Sequence, residues 1–315
     1  MNKVYCDTNE EIRCGYTVSA RMKAVWNVEI DLLVKLLEVC ERHHLRCWVA
    51  DGTLLGAVRH KGFIPWDNDI DVCMLRDDYD RLLALGADAF EYPYFLQSPY
   101  SDDSYFRAHA QFRNSATAGI RPSDSYRPFN QGLFIDIFPL DAVPEDLEER
   151  RAILKRIRKV TRFLKAKDTP ILASGRLGLV FRKLECKWMV WRKGWITIYK
   201  EVDELLRSAD LSKCRYVAEL GFSGDEYLLD KRIFDSTVML DFEQIQVPVP
   251  VGYESYLRTQ YGDDYMTPRQ VPTAHDDMVV DVERSYVELL PEVRRQYSRS
   301  AIKRLLKKLG KKTKA

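Results

Sequence analysis

The sequence contains no run of about 18 apolar residues, so no segment predicts a membrane-spanning helix. Its first twenty residues, MNKVYCDTNEEIRCGYTVSA, lack a basic start followed by an apolar block, and no secretory leader is expected. The seven cysteines (Cys6, Cys14, Cys40, Cys47, Cys73, Cys186 and Cys214) include no CxxC pair and make an odd number. That argues against a structural zinc site and a disulfide framework, and predicts reduced thiols in a cytoplasmic protein. GxSxG, HExxH and a complete P-loop are all missing, which leaves those chemistries without support. Internal repeats and long low-complexity linkers are missing too.

Acidic residues are scarce in two places. Between Arg150 and Lys200 there are sixteen Lys and Arg against two acids, and between Arg294 and Lys314 ten against none. These segments together carry +24, so the rest of the chain carries −22 to reach the net +2. An acidic body with two basic segments predicts a face that meets polyanions. No nucleic-acid module accompanies the charge, so nucleic acid is not expected as the partner.

The 315 residues suffice for one large domain or two modest ones. Apolar residues recur near the helical period over 20–43, from Val25 to Val39, predicting a helix. RCWVA (46–50) reads as a short strand, Gly52 to His60 as a turn opening a short helix, and Asp69 to Met74 as a second strand. A helix over 77–85 would have Asp77 as its cap. Strands are expected at 93–97, 105–113 and 132–138. A helix over 144–166 would start on Pro144, with Glu145, Asp146, Glu148 and Glu149 at the positive end of its dipole. One or two helices follow in 176–207, strands near 215–220 and 237–249, and short helices at 253–261 and 282–290. Residues 299–309 are helical if ordered. Alternating elements followed by a string of strands predict an α+β fold, a mixed sheet with helices packed on it.

The stretch WDNDIDV, Trp66 to Val72, places Asp67, Asp69 and Asp71 two residues apart. Strand side chains alternate, so these carboxylates share a side while Ile70 and Val72 enter the core. Like charges this close repel unless a cation neutralises them, and hard divalent cations prefer carboxylate oxygen. An isolated DxD is more often a polar strand edge or a turn, but two neighbouring segments shift the balance. Upstream, ADGTLLGAVRHKG has Gly52 and Gly56 near a helix start, where N–H groups can bind phosphate. Arg59, His60 and Lys61 follow with positive charge, or as plain surface residues. Downstream, GLFIDIFPLD sets Asp136 among Phe134, Ile135, Ile137 and Phe138, where a carboxylate is costly unless paired or metal-bound. An Arg or a backbone N–H would also satisfy it.

DGTLLGAVRHKGFIPWDNDIDV, followed some sixty residues later by FIDIFPLD, resembles the LicD-type phosphocholine transferase family, itself similar to fukutin-related proteins. The resemblance is strongest from Cys47 to Asp141 and resumes at VPVPVGYESYLRTQYGDDYM (247–266), with His275 beyond. It implies a nucleotidyltransferase-like fold with a basic helical insertion. It divides the chain into a catalytic core at 20–143, a basic helical segment at 144–208, the remainder of the catalytic unit at 209–292 and a basic tail at 293–315. Asp69 and Asp71 match the family's metal-binding pair and Asp136 its third acid. Gly52 and Thr53 match the loop at the helix start, and Arg59 a basic position beside it. Arg113 and Thr117 resemble a segment that lines the nucleotide pocket, and His275 is taken as a further substrate contact. Asp51 and Asn68 depart from the family pattern. By alternation Asn68 should point away from Asp69 and Asp71.

The activity so implied moves a phosphoryl-alcohol group from a CDP-linked donor to a hydroxyl of a cell-surface glycan precursor, releasing CMP. Mg²⁺ is the expected ion, with Mn²⁺ as the alternative. Arg59, His60, Lys61 and Arg113 would steady the pyrophosphate. Asp136 would complete the metal shell or accept the acceptor's proton. CDP-choline is the favoured donor, although nothing in the spacing selects choline over glycerol or ribitol. Trp66 could contribute to an aromatic cage for a quaternary ammonium, but reads more simply as a side chain packed under the loop. Two other readings use the same residues: a nucleotidyltransferase releasing pyrophosphate, and an inactive nucleotide-binding scaffold.

In the basic segment Ile153, Ile157, Val160 and Leu164 form one stripe, and Trp188, Trp191 and Trp195 follow at i, i+3 and i+7 among Arg182, Lys183, Lys187, Arg192 and Lys193. Ile302, Leu305, Leu306 and Leu309 form a similar stripe in the tail. Tryptophan and cations on an amphipathic helix suit an anionic membrane surface, whereas a buried helical layer explains the middle segment equally well. With a lipid-linked glycan acceptor, the expected location is cytoplasmic and peripheral at the inner face of the membrane.

Overall fold

The computed structural model describes residues 4–86, 89–166, 180–270 and 277–312, with the backbone alone at 166, 180–183 and 300–312. A hairpin of β1 (Glu11–Arg13) and β2 (Tyr16–Val18) leads into α1 (Ala20–Arg42). Ser19 caps α1, its Oγ accepting from Met22 N–H at 3.2 Å. Then come β3 (Trp48–Val49), α2 (Asp51–His60), β4 (Asp71–Leu75), α3 (Arg76–Ala84), β5 (Tyr94–Gln97), β6 (Ala110–Asn114), β7 (Ala118–Ile120) and β8 (Leu133–Ala142). A helical layer follows: α4 (Leu147–Ala166), α5 (Val180–Lys193) and α6 (Trp195–Leu206). The chain returns through β9 (Tyr216–Ala218), β10 (Leu229–Asp230), β11 (Thr237–Phe242), β12 (Ile245–Pro250), α7 (Tyr253–Tyr261), β13 (Val279–Asp281) and α8 (Tyr286–Lys312).

The main sheet is mixed and flanked by helices, an α+β arrangement. Strand β8 is its axis. Its residues 136–140 pair parallel with β4 on one side, and its residues 133–137 pair antiparallel with β6 on the other. Its end pairs antiparallel with β9, β3 runs antiparallel to β4, and β5 to β6. All ten residues of β8 are buried, which is why its sequence is almost continuously apolar. Helix α1 lies against this sheet with Trp26, Ile30, Leu33 and Leu36 fully enclosed. A second core joins α4 to α6: Ile153, Ile157, Val160 and Leu164 pack with Ile198, Val202 and Leu206. The α4 stripe is therefore core.

Several boundaries differ from the expected ones. Helix α3 starts at Arg76 with Leu75 as its N-cap and no side-chain cap, so Asp77 sits in the first turn, where its charge still suits the dipole. Pro144 and Glu145 precede α4, and Asp146 caps it by accepting from Glu149 N–H at 2.7 Å. Residues 105–109 are not strand; β6 begins at Ala110. The helical region after 176 is two helices parted at Gly194, whose φ of +81° a side chain would strain. Residues 286–312 form one helix through Pro291. The proline falls in its second turn, where the missing N–H removes only one helical bond.

Candidate functional site

The site sits where α2 and β4 begin. Ala50 N–H donates to Asp71 O at 2.9 Å and Asp71 N–H to Thr53 Oγ1 at 2.9 Å, locking the helix start to the strand start. A Cβ at Gly52 would lie 2.9 Å from Asp67 Oδ2 and would push that carboxylate aside. Gly56 is needed one turn on, where a Cβ would come within 2.4 Å of Gly62 O. The two glycines bring α2 against the loop that carries the aspartates.

In the parallel register of β4 and β8, Asp71 stands opposite Asp136, with Val72 opposite Ile137. Both carboxylates therefore emerge on one face, while Ile70, Val72 and Ile137 are fully buried. A cavity of about 540 Å³ opens beside them, lined by Asp51, Gly52, Arg59, Trp66, Asp67, Asp69, Asp71, Tyr261, Asp264, Tyr265 and Arg269, among others. Among the described residues five carboxylates thus face it against two guanidiniums, and Arg269 is paired with Asp264. Burial, followed by the charges of Asp69, Asp51, Asp136 and Asp67, drives the Asp71 carboxyl well above its usual range.

Asp136 is buried, 8% exposed, and is not among the residues that line the cavity. Its Oδ1 accepts from Gln111 Nε2 at 2.7 Å, and His109 Nε2 lies 3.1 Å away. Gln111 is steadied in turn by the Arg113 guanidinium. The Arg113 side chain is only 2% exposed and also donates to Gly132 O at 2.5 Å. It points into the protein instead of towards the cavity: its charge is balanced by carbonyls, and it reaches the site only through Gln111. Thr117 is inward too, its Oγ1 donating to Asn114 O and accepting from Leu133 N–H.

The basic trio divides. Arg59 lines the cavity and donates to Tyr265 O at 2.7 Å. His60 packs edge-on to Trp66, and burial, then Arg59 and Arg13, pushes its pKa down to about 4, so it is neutral at pH 7. Lys61 is exposed in a left-handed conformation that ends α2, away from the cavity, because the helix reverses there. Trp66 packs edge-on to Tyr16 and lines the cavity. Asn68 lines a separate small cavity with Glu29, Asp69 and Phe134. His275 lies outside the described residues.

Three groups of participants lie outside the set of expected site residues. Asp51 begins α2 with φ +47° and accepts from Tyr256 Oη at 2.7 Å and Gln260 Nε2 at 2.6 Å, tying α7 to the cavity wall. Glu29 of α1 is 2% exposed, and burial, then Asp69, Asp67 and Asp136, holds its carboxyl well above the usual range. His109 and Gln111 form the third group. The pattern HAQFR, polar at 109, 111 and 113 and apolar at 110 and 112, was a legible sign of a one-sided polar strand face.

Among the described residues no group of three or more His, Cys, Asp or Glu side chains is arranged to hold a metal ion as it stands. The chemistry of the donors nevertheless suits a hard cation: neighbouring carboxylates raise the Asp71 pKa, and acids outnumber cations among the described residues that line the cavity. Mg²⁺ is commonly bound by one or two carboxylates together with substrate phosphates and needs no closed protein cage. Asp69, Asp71 and Asp136 are the residues that could share one with a substrate.

The sequence profile described as LicD/FKTN/FKRP, nucleotidyltransferase domain, matches residues 44–163. The chain carries a LicD-type domain. The lipopolysaccharide cholinephosphotransferase LicD of Haemophilus influenzae is 25% identical over 273 residues, 82% of this chain and 95% of that protein. An uncharacterized protein of Rickettsia prowazekii is 38% identical over 72 residues, 23% of this chain and 24% of its own length. One from Rickettsia typhi is 44% identical over 41 residues, 13% of each chain. The profile match contains the LicD-type segments from α2 through β8 and ends within α4, so Asp69, Asp71 and Asp136 lie inside it. The α7 wall of the cavity lies beyond it.

Proposed function

We propose that this LicD-type chain transfers a phosphoryl-alcohol group, phosphocholine in the favoured reading, from a CDP-linked donor to a hydroxyl of a cell-surface glycan precursor. The observation that carries the proposal is the pairing of Asp71 with Asp136 across β4 and β8, beside a cavity in which acids outnumber cations. Such a cavity repels a bare pyrophosphate. A divalent cation on Asp69, Asp71 and Asp136 would reverse that field and neutralise charge developing on the donor oxygens. The remaining work falls to the chain. The first-turn N–H groups of α2 offer donors and a positive dipole end at Gly52. Arg59 adds a cation on the same wall, and Thr53 keeps β4 in place beneath it.

In the transfer, the acceptor oxygen bonds to the distal phosphorus, the bond from that phosphorus to the bridging oxygen breaks, and CMP leaves. The acceptor's proton goes to a carboxylate or to solvent. Asp136, held by Gln111 and His109, would either take it or complete the cation's shell. Trp66, Tyr261 and Tyr265 line the cavity and supply aromatic surface for a quaternary ammonium. The relative's printed activity, choline phosphate transfer to lipopolysaccharide, supports this donor and acceptor class.

Among the described residues no helix is long and apolar enough to cross a membrane. A peripheral position at the inner face would suit a lipid-linked acceptor. The test is incubation with a panel of CDP-alcohols, Mg²⁺ or Mn²⁺ and a glycolipid extract, with the released nucleotide identified by mass spectrometry. CMP release with CDP-choline, lost in Asp69→Asn and Asp71→Asn, is the expected result. Pyrophosphate release would instead indicate nucleotidyl transfer. Nucleotide binding without any turnover would indicate a scaffold.

A further inference from the structure

Helix α5 is apolar on two opposite faces. Cys186 and Val190, one turn apart, are buried, and Val190 belongs to the core that joins α4 to α6. Leu184, Trp188 and Trp191 are 44%, 50% and 81% exposed. At about 100° per residue, those three fall within roughly 60° of one another and lie roughly opposite Cys186. Of the three tryptophans in this region only Trp195 joins the core; it is 8% exposed at the start of α6. The neighbouring Ile196, 39% exposed, extends the outward patch.

Core packing accounts for the inner face and leaves the outer one unexplained. Lys187 borders the outer stripe on one side and Arg192 on the other, with the Arg192 guanidinium 5.3 Å from the centre of the Trp188 ring. The surrounding segment, Arg150 to Lys200, has sixteen basic residues and two acids. A protein partner matched to this surface would need an acidic rim and an apolar pocket. An anionic lipid surface supplies both features at once, negative headgroups above an apolar layer. Tryptophan, amphipathic at its ring N–H, settles at that boundary.

We propose that the outer face of α5 is a docking surface for an anionic bilayer. Leu184, Trp188 and Trp191 enter the boundary between headgroups and acyl chains, while Lys187 and Arg192 meet the headgroups. The proposal concerns a surface separate from the carboxylate cavity and does not depend on the transfer reading.

The test is sedimentation of the full chain with vesicles of phosphatidylcholine alone and of phosphatidylcholine with phosphatidylglycerol, without nucleotide or acceptor. Binding to the anionic vesicles with a blue shift of tryptophan emission is expected. Replacing Trp188→Ala and Trp191→Ala together should lower the partition coefficient by roughly tenfold or more at an unchanged melting temperature. Trp188→Phe with Trp191→Phe should recover part of the loss. Added salt should weaken binding without abolishing it. Wild-type protein that ignores anionic vesicles, or an alanine pair that binds like wild type, overturns the proposal. So does a wild-type dimer that the alanine pair dissolves, since the face would then serve a second copy of the chain.

Discussion

Replacing Asp71 by Asn removes one negative charge from a position on which Asp69, Asp51, Asp136 and Asp67 all act, while keeping its size and its backbone bond to Thr53. Neighbouring strands lie about 4.8 Å apart, so the backbones of the in-register Asp71 and Asp136 are separated by a similar distance, which sets the scale of the repulsion. Two unit charges about 5 Å apart repel by roughly 3 kcal/mol at an effective dielectric of about 20, and by under about 1 kcal/mol in bulk water. Asp71 is half-buried and opens onto a cavity, which places the relief between these bounds, about 1–2 kcal/mol. Without divalent ions, Asp71→Asn should therefore be more stable than wild type and inactive in transfer.

The pH dependence has a definite sign. The folded Asp71 carboxyl lies above its ordinary range, so folding takes up a proton. Its favourable contribution is complete below the unfolded pKa of about 4 and is lost as pH rises through the folded value. The advantage of Asp71→Asn should consequently grow from pH 5 to pH 8.5, read as melting temperature by circular dichroism in EDTA. Mg²⁺ should raise the melting temperature of wild type and leave the variant nearly unmoved. A variant less stable than wild type at pH 8 in EDTA would refute the reasoning, because the carboxylate would then be held by a favourable partner instead of opposed by its neighbours.

Thr53→Val leaves the Asp71 N–H without its acceptor and should cost about 1–3 kcal/mol in urea unfolding, with a parallel fall in transfer rate. Gln111→Leu removes the 2.7 Å donor to Asp136 and the acceptor of Arg113, so stability should drop by about 1–3 kcal/mol and transfer should fall even where the protein remains folded. Arg76→Leu strands the fully buried Asp141 carboxylate and should cost about 3–5 kcal/mol, most of it recovered in the double variant Arg76→Leu with Asp141→Leu when both are compared by denaturant melts.

Local pattern was enough for a good part of this protein. The apolar period of 20–43 specifies a helix because its stripe must be buried, and α1 differs from the expected span by one residue. Strand alternation puts Val72 in the core, but Asn68 and Asp69 precede β4 and line one small cavity together, so alternation does not separate them. The long motif from Asp51 to Val72, with the isolated acid of β8, was sufficient to point to the LicD type. Other features depend on which elements meet. Asp71 faces Asp136 because β8 pairs parallel with β4 in one register, and that register joins segments some sixty residues apart. Arg113 was readable as a cation but not as a buried one; the carbonyl and amides that balance it come from Gln97, Gln111 and Gly132. The α7 wall and its bonds to Asp51 form across two hundred residues of chain. Trp188, Trp191 and Trp195 look alike in sequence, yet the break at Gly194 turns the third into the core and leaves the first two outside, because helical spacing predicts facing only within one unbroken helix.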